Sequence, residues 1–200
     1  KGFEATTTRE IAEQAGAAEG TLYRHFDGKA DLAQSLYRRC TTQLKEILSD
    51  RDEPSSTPPD RLEALVRGIF DFYATKPASC TYLLSVRESG IAAEAAAPPP
   101  PMQRIADVLD DGRQQGVFPE TATSGLVAGW ILAMIQRTVL FLKAGTLGLD
   151  EPDAIDRTVE AAHRLARAFG SKVVIDSDGP SGPLRGEATA ADIPTITIEM

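Results

Sequence analysis

The chain has 200 residues, of which 42% are hydrophobic, and a formal net charge of −8 at pH 7. This length and apolar content allow a substantial core, while Cys40 and Cys80 are too few for a disulfide scaffold, which predicts a reducing compartment. The acidity is uneven, because residues 1–48 carry as many basic as acidic side chains and the whole excess of acid lies downstream. A neutral opening segment can still bind phosphates if its cations converge on one face.

Helical spacing of apolar residues dominates the sequence, and no segment alternates like a β-strand before TITIE at the end. Clusters of Gly, Pro and Ser interrupt this pattern and divide the chain into about eight predicted helices. Residues 171–200 are rich in Gly, Pro, Ser and Asp and lack a helical stripe, so we expect an irregular or mobile tail. The predicted fold class is all-α.

Two short helices joined by a glycine turn are predicted near the start of the chain. Thr7 and Glu10 have the spacing of a capping box, so the first helix is expected to begin there and to end at Gly16. A second short helix is predicted over residues 18–26, and so tight a connection indicates a helix-turn-helix motif. The inner face of the first helix is expected to carry Ile11, Ala12 and Ala15.

The second helix has one apolar side and one side rich in hydrogen-bond donors. Leu22 and Phe26 share a face at helical spacing and are expected to point into the core of the module. Lys29 follows in the first turn of a longer helix, where the free N–H groups favour an anion. The outer side carries Gly20, Thr21, Tyr23, Arg24 and His25. This arrangement predicts a phosphate-binding surface around a helix that fits the major groove, although Tyr23 and His25 could instead be packing residues.

The run KGFEATTTREIAEQAG followed by EGTLYRHFDGKADL resembles the DNA-binding domain of the tetracycline-repressor (TetR) family of bacterial transcription regulators. The resemblance covers essentially residues 1–48, and beyond them such proteins share architecture rather than motif. It implies that Thr21, Tyr23, His25 and Lys29 contact DNA, mainly its phosphates, with Thr8 as a weaker candidate. It also implies a helical carboxy-terminal domain, here residues 60–170, that binds a ligand and forms a dimer.

Three departures from the family pattern affect this prediction. Ala18 stands where Ser or Thr often caps the recognition helix, which weakens that helix start by about 1 kcal/mol. Glu19 replaces a frequent Lys or Arg, and its carboxylate could accept from a cytosine amino group or face water. The family's first helix, which precedes KGF, is not in the sequence, and we expect the native chain to begin upstream.

A broad apolar stripe over residues 60–74 predicts a central helix of the second domain, and it includes Ile69 and Phe72. Together with later residues such as Leu83 it could line a cavity for an apolar or aromatic small molecule, or simply form the core. Arg137 could be paired with a carboxylate, exposed at an interface or directed at a ligand. The candidate ligand-binding residues are Phe70, Tyr73, Tyr82, Met102, Ile105, Trp130, Met134 and Arg137.

Residues 124–143 form a predicted helix that is apolar nearly all round and requires cover on every side. A polar pair, Gln136 and Arg137, lies at its middle and argues against a membrane span. A last helix over residues 153–169 has apolar positions spaced for a helix seam, which predicts a four-helix interface between two subunits. The candidate interface residues are Gly125, Ala128, Gly129, Ile155, Val159, Ala162, Ala166 and Phe169.

These features predict a cytoplasmic, ligand-responsive repressor that binds a palindromic operator as a homodimer and needs no cofactor or metal. One alternative is an enzyme built as a helical bundle, but the two histidines lie in unrelated segments and no catalytic set is evident. A second alternative is a helical protein that binds a partner or a small molecule and whose DNA module has decayed, for which Ala18 and Glu19 would be the evidence.

Overall fold

The computed structural model describes residues 5–86, 100–119 and 123–168, and in these ranges the chain is helical without strands. The predicted all-α class is therefore confirmed, whereas Phe169 and the tail over 171–200 lie outside the described residues. The helices are α1 (Thr8–Gln14), α2 (Glu19–Leu22), α3 (Lys29–Arg51), α4 (Pro58–Thr75), α5 (Pro77–Val86), α6 (Pro100–Gln114), α7 (Ser124–Ala144) and α8 (Glu151–Ala168).

Helix α1 begins as its sequence predicts. The Thr7 hydroxyl accepts from the Glu10 N–H at 3.2 Å, and Glu10 Oε2 accepts from the Thr7 N–H at 3.0 Å, which completes the capping box. Gly16 follows the helix with φ +66°, a left-handed conformation that suits glycine. Ala12 is buried, but Ala15 is exposed, which corrects its predicted inward position: the helix ends at Gln14, so Ala15 is already its C-cap.

Helix α2 is shorter than predicted and consists of a single turn. Ala18, its N-cap, supplies no side-chain hydrogen bond, and Gly20 lowers the helix propensity of the turn by about 1 kcal/mol relative to alanine. Beyond Leu22 the chain continues as turns in which the N–H groups of His25 and Phe26 both donate to the Leu22 carbonyl, at 3.0 and 2.9 Å. The turns keep residues 23–26 compact beside α2.

Helix α3 connects the amino-terminal module to the rest of the protein without a break. Its 23 residues pack against α4, α5 and α6. Leu44 and Leu48 belong to the core of the helical body, so the domain boundary expected at residue 48 falls inside a continuous helix. The start of α3 therefore belongs to the module and its later turns to the body.

Helix α4 lies at the centre of the body, as its broad apolar stripe predicts. It contacts α3, α5, α6, α7 and α8, and α6 packs along α7. Leu62, Leu65 and Phe72 are each fully buried. Helix α7 is long and apolar enough to cross a membrane by length and composition alone, but Ile131, Ile135 and other residues of one side are buried in the core of the body.

An ionic network fixes the end of α3 to the body. Asp52, the C-cap of α3, accepts from Arg61 Nε at 2.7 Å and from Arg104 Nη1 at 3.1 Å, and Arg61 Nη1 also donates to Asp111 at 2.6 Å. Burial by itself would raise the pKa of Asp52, but the hydrogen bonds and charges of Arg61 and Arg104 outweigh it and lower that pKa. Asp52 therefore stays ionised at neutral pH and joins α3 to α4 and α6.

Candidate nucleic-acid interface

The residues predicted to contact DNA lie along the outer side of α2 and the turns next to it. Thr8 and Lys29 are partly buried at the starts of α1 and α3. The remaining five are exposed: Gly20, Thr21, Tyr23, Arg24 and His25. The folded module thus presents a contiguous run of hydroxyl, guanidinium and imidazole groups to solvent.

The opposite side of α2 is apolar and holds this surface in place. Leu22 and Phe26 line one narrow gap together with Leu32 of α3 and with Thr8 of α1. Both point inward as predicted, yet they are only half-buried, because the module is too small to enclose them. The residues between them, Tyr23, Arg24 and His25, are exposed, and Tyr23 also borders the gap.

Thr8, Glu19 and Tyr23 form a cluster of side chains that joins α1 to α2. The Thr8 hydroxyl donates to Glu19 Oε1 at 3.0 Å and lies 3.1 Å from the Tyr23 hydroxyl. Tyr23 nevertheless remains 56% exposed. The structure therefore brings together two of the predicted DNA contacts, and it gives Glu19 an intramolecular partner that sequence reasoning missed.

The start of α3 already holds a carboxylate. Asp31, in the first turn, accepts from the backbone N–H of Asp27 at 3.1 Å. Lys29 is the first residue of the helix and is partly buried. An anion approaching this helix end would meet the Lys29 cation and the positive end of the helix dipole beside an existing negative charge, so the attraction is weaker than the sequence alone suggests.

Arg24 and His25 are the most available polar groups of the surface. Arg24 is exposed and makes no hydrogen bond or ion pair with any other described residue. The His25 ring packs edge-on against Phe26 with 6.4 Å between ring centroids, yet His25 remains exposed. A methyl group placed on Gly20 would meet nothing within 4 Å, so no part of the protein covers the backbone there.

The body contains a small apolar cleft of about 60 Å³, bounded by helices α3 to α7. Its lining includes Tyr37 of α3, Phe72 of α4 and Leu83 of α5, and the Gln136 side chain of α7 adds a polar group. Burial raises the pKa of the Cys80 thiol to about 11 although Lys143 lowers it slightly, so this lining residue is uncharged at neutral pH. The cleft suits an apolar group.

The predicted ligand-binding residues do not line this cleft. Phe70 and Ile105 are buried in the core, and Met102 and Met134 pack against it. Phe70 lies about 100° around α4 from the cleft-lining Ile69, so the broad stripe of α4 combined two different faces. Arg137 is exposed, with its guanidinium carbon 5.8 Å from the centroid of the Phe141 ring. Trp130 is likewise 40% exposed on α7.

Tyr73 and Tyr82 line a second, shallow depression between α4, α5 and the end of α7, with Lys143 at its rim. The Tyr82 hydroxyl donates to the Ala33 carbonyl of α3 at 2.7 Å. Burial, reinforced by the nearby Cys40, raises the pKa of Tyr82, so its hydroxyl stays protonated and able to donate. This bond joins α5 to α3 one turn from Lys29.

The predicted dimer residues differ in how far their own chain covers them. Ala128, Val159, Ala162 and Ala166 are buried within a single chain, so their side chains are not free to meet a partner. The apolar stripe of α8 instead packs on its own subunit, where α8 contacts α4 and α7. A methyl group on Gly129 would lie 3.7 Å from Met102 of the same chain, and Ile155 packs against the core. A methyl group on Gly125 would meet nothing within 4 Å, so this candidate has open space beside it.

The outer face of α7 carries large apolar side chains that the body does not cover. Leu126 is 48%, Trp130 40% and Phe141 41% exposed. Their positions recur at multiples of the helical repeat, so they lie along one side of α7. Exposed side chains of α8 are by contrast mostly charged, such as Glu160 and Arg164.

The fold and this surface define a helix-turn-helix module attached by a long helix to an α-helical body. The sequence pattern described as "Bacterial regulatory proteins, tetR family" matches residues 1–36. This match covers α1, α2 and the first turns of α3, and the helical body lies outside it.

Comparison with individual proteins gives the same result. The chain is 34% identical over 71 residues to the HTH-type transcriptional repressor KstR2 of Mycobacterium tuberculosis, a match that covers 36% of each chain. It is 29% identical over 73 residues to the fatty acid metabolism regulator protein of Bacillus subtilis, covering 36% of this chain and 38% of that one. These matches span little more than a third of the length of the curated relatives.

Two crystal structures share the fold over most of the chain. A tetR-family regulatory protein from Rhodococcus RHA1 has a TM-score of 0.70 at 22% identity, covering 82% of this chain and 88% of that one. The regulator FadR from Bacillus subtilis, in complex with stearoyl-CoA, has a TM-score of 0.64 at 20% identity, covering 82% and 89%. At these identities the likeness concerns the fold.

Proposed function

We propose that the protein is a cytoplasmic transcriptional repressor that binds a palindromic DNA operator as a homodimer and is released by an apolar effector. The observation that carries the proposal is the exposed row of donors on α2 and the turns that follow it, with Leu22 and Phe26 packed on the inner side. A one-turn helix with its outer side unobstructed can enter a major groove, where its first residues meet base edges and its neighbours meet phosphates. The match of residues 1–36 to the pattern of the tetR family supports the same function.

A second copy is the partner we propose for the outer face of α7. Leu126, Trp130 and Phe141 form an exposed apolar stripe on a helix whose other sides are packed. Two such stripes facing each other across a twofold axis would bury aromatic and aliphatic surface, which stabilises association. A twofold dimer then carries two α2 helices and fits two half-sites related by the same symmetry.

Oligomeric state tests this proposal. We expect the wild-type protein to sediment as a dimer and Trp130→Glu to sediment as a monomer, because a carboxylate would be buried without a partner. Leu149→Glu is a matched control, since Leu149 is 39% exposed in the loop after α7. A wild-type monomer, or a Trp130→Glu dimer as stable as the wild type, would contradict the proposed interface.

The effector proposed is an apolar molecule whose chain enters the cleft between α3 and α7. The cleft is small in this structure, compared with the roughly 300–1,000 Å³ of typical ligand pockets, so binding must widen it. Tyr37 and Thr41 of α3 line the cleft, so widening it acts on the helix that carries Lys29. An effector that favours the widened form weakens DNA binding by the same coupling factor.

Acyl compounds are the first effectors to test, because a structural neighbour is a complex with stearoyl-CoA. We expect stearoyl-CoA or a free fatty acid to raise the melting temperature and aromatic acids to have a smaller effect. Leu83→Trp should fill the cleft and abolish the shift, since Leu83 is part of its lining. A shift that persists in Leu83→Trp would place the effector elsewhere.

A gel-shift titration with the DNA upstream of its own gene tests the function itself. We expect specific binding at physiological salt, and we expect Gly20→Ala to weaken it because the added methyl group stands where the duplex must approach. Gly20→Ala leaves the fold intact, as nothing in the protein lies within 4 Å of the new methyl group. Equal, weak affinity of the wild type for every sequence would favour the alternative of a partner-binding protein with a decayed DNA module.

A further inference from the structure

Glu19 occupies a position that sequence reasoning left open between base recognition and solvent. In the folded module its Oε1 accepts the Thr8 hydroxyl at 3.0 Å. Thr8 in turn lies 3.1 Å from the Tyr23 hydroxyl. A carboxylate is thus bonded directly to one candidate phosphate contact and indirectly to another.

Counting protons assigns the direction of both hydrogen bonds. A threonine or tyrosine hydroxyl has one proton to donate. Since Thr8 donates its proton to Glu19, the bond between Thr8 and Tyr23 must be donated by Tyr23. Both hydroxyl protons are therefore in use, and Glu19 is the last acceptor in this series of hydrogen bonds.

A phosphate oxygen can only accept hydrogen bonds, so it competes with Glu19 for the Thr8 proton. Thr8 cannot donate to DNA until Glu19 gives up that proton, whereas Tyr23 has to give up only its bond to the Thr8 oxygen. The carboxylate also carries the same sign of charge as the phosphate that would replace it. Both effects oppose binding, and neither depends on the base sequence.

We propose that Glu19 is a positioning residue that competes with the DNA phosphates for the Thr8 hydroxyl proton and thereby lowers the affinity for all sequences. The inference rests on the proposed DNA-binding function. It differs from base recognition, in which the carboxylate would accept from a cytosine amino group and would favour particular operators. The two roles give opposite results when the charge is removed.

The test compares the full-length wild type with Glu19→Gln by fluorescence anisotropy, using operator DNA and a scrambled duplex at several salt concentrations. We expect Glu19→Gln to bind both duplexes about 3- to 10-fold more tightly, because one unfavourable charge is removed and an amide is a weaker acceptor. Glu46→Gln is the matched control: the same charge is lost from an exposed site far along α3, and affinity should not change.

The role of the hydroxyl is tested in a Thr8→Val background. If Glu19 acts by holding the Thr8 proton, the gain from Glu19→Gln should shrink once that proton is gone. Equal gains in both backgrounds, unchanged or weaker binding by Glu19→Gln, or a changed preference at a cytosine position would each overturn the inference. A wild-type protein that prefers no operator would overturn the proposed function as well, which distinguishes the two failures.

Discussion

The amino-terminal module and the helical body use their side chains in opposite ways. Over residues 5–28 only Ala12 is buried, and the side chains of Thr21, Arg24 and His25 are exposed to solvent. The body by contrast buries most of one face of α4 and of α7 in a shared core. A module with so little core cannot be very stable alone, so its geometry depends on α3, which extends from it into the body. The region that carries recognition thus depends on the region that carries stability.

Two leucine-to-alanine substitutions, one in each region, are expected to have the largest effects on stability and DNA binding, and they test this contrast directly. Leu65→Ala removes a fully buried side chain of α4 and should lower the free energy of unfolding by about 2–5 kcal/mol. Leu22→Ala removes a half-buried side chain and should cost only about 1–2 kcal/mol, while reducing DNA binding far more than Leu65→Ala does. Urea unfolding and anisotropy measure the two quantities. Similar decreases in the free energy of unfolding for the two variants would mean that the module is as well packed as the body.

The junction between the two regions depends on Asp52. Asp52→Ala leaves the largely buried Arg61 without its main partner and should lower the free energy of unfolding by about 3 kcal/mol. The folded state lowers the pKa of Asp52, so its contribution is complete above about pH 4 and is lost as the pH falls through the lower folded value. The Asn side chain in Asp52→Asn does not titrate, so the difference in free energy of unfolding between this variant and the wild type should shrink in acid. A deficit that is constant from pH 7 to pH 3 would contradict this account.

Phosphate contact is tested at the start of α3. Lys29→Ala should weaken binding to all sequences alike and reduce the slope of log affinity against log salt by roughly 0.9. Lys45→Ala is the control, because it removes the same charge from an exposed site in the later part of the same helix. An unchanged slope in Lys29→Ala, or an equal change in Lys45→Ala, would remove Lys29 from the interface.

The smallest expected effect concerns the bond between the body and the first part of α3. Tyr82→Phe removes the hydrogen bond to the Ala33 carbonyl and should cost about 1 kcal/mol, or roughly 2–4 °C in melting temperature. Amide exchange in the first turns of α3 should become faster. Tyr73→Phe is the control, since Tyr73 lines the same depression and makes no hydrogen bond within the described part of the chain. Equal changes in melting temperature and amide exchange in Tyr82→Phe and Tyr73→Phe would show that the Tyr82 hydroxyl does not stabilise α3.

The sequence by itself determined the helix-turn-helix module, because its signals are local. The capping box of Thr7 and Glu10, the glycine turn and the apolar pair Leu22 and Phe26 all lie within about twenty residues of one another. Local hydrogen bonds and the helical repeat are enough to predict which side of α2 faces outward. The all-α class followed from the same repeat.

Only the tertiary structure decided which apolar residues line the cleft, which face of α7 remains uncovered and where Glu19 directs its carboxylate. Each of these depends on helices distant in sequence, as when Leu83 of α5 meets Tyr37 of α3. Helical periodicity shows that a face is apolar, but it does not show whether its own core, a ligand or a second subunit covers it. That choice is made by how the helices pack, which is why the predicted stripe of α8 proved to belong to its own core.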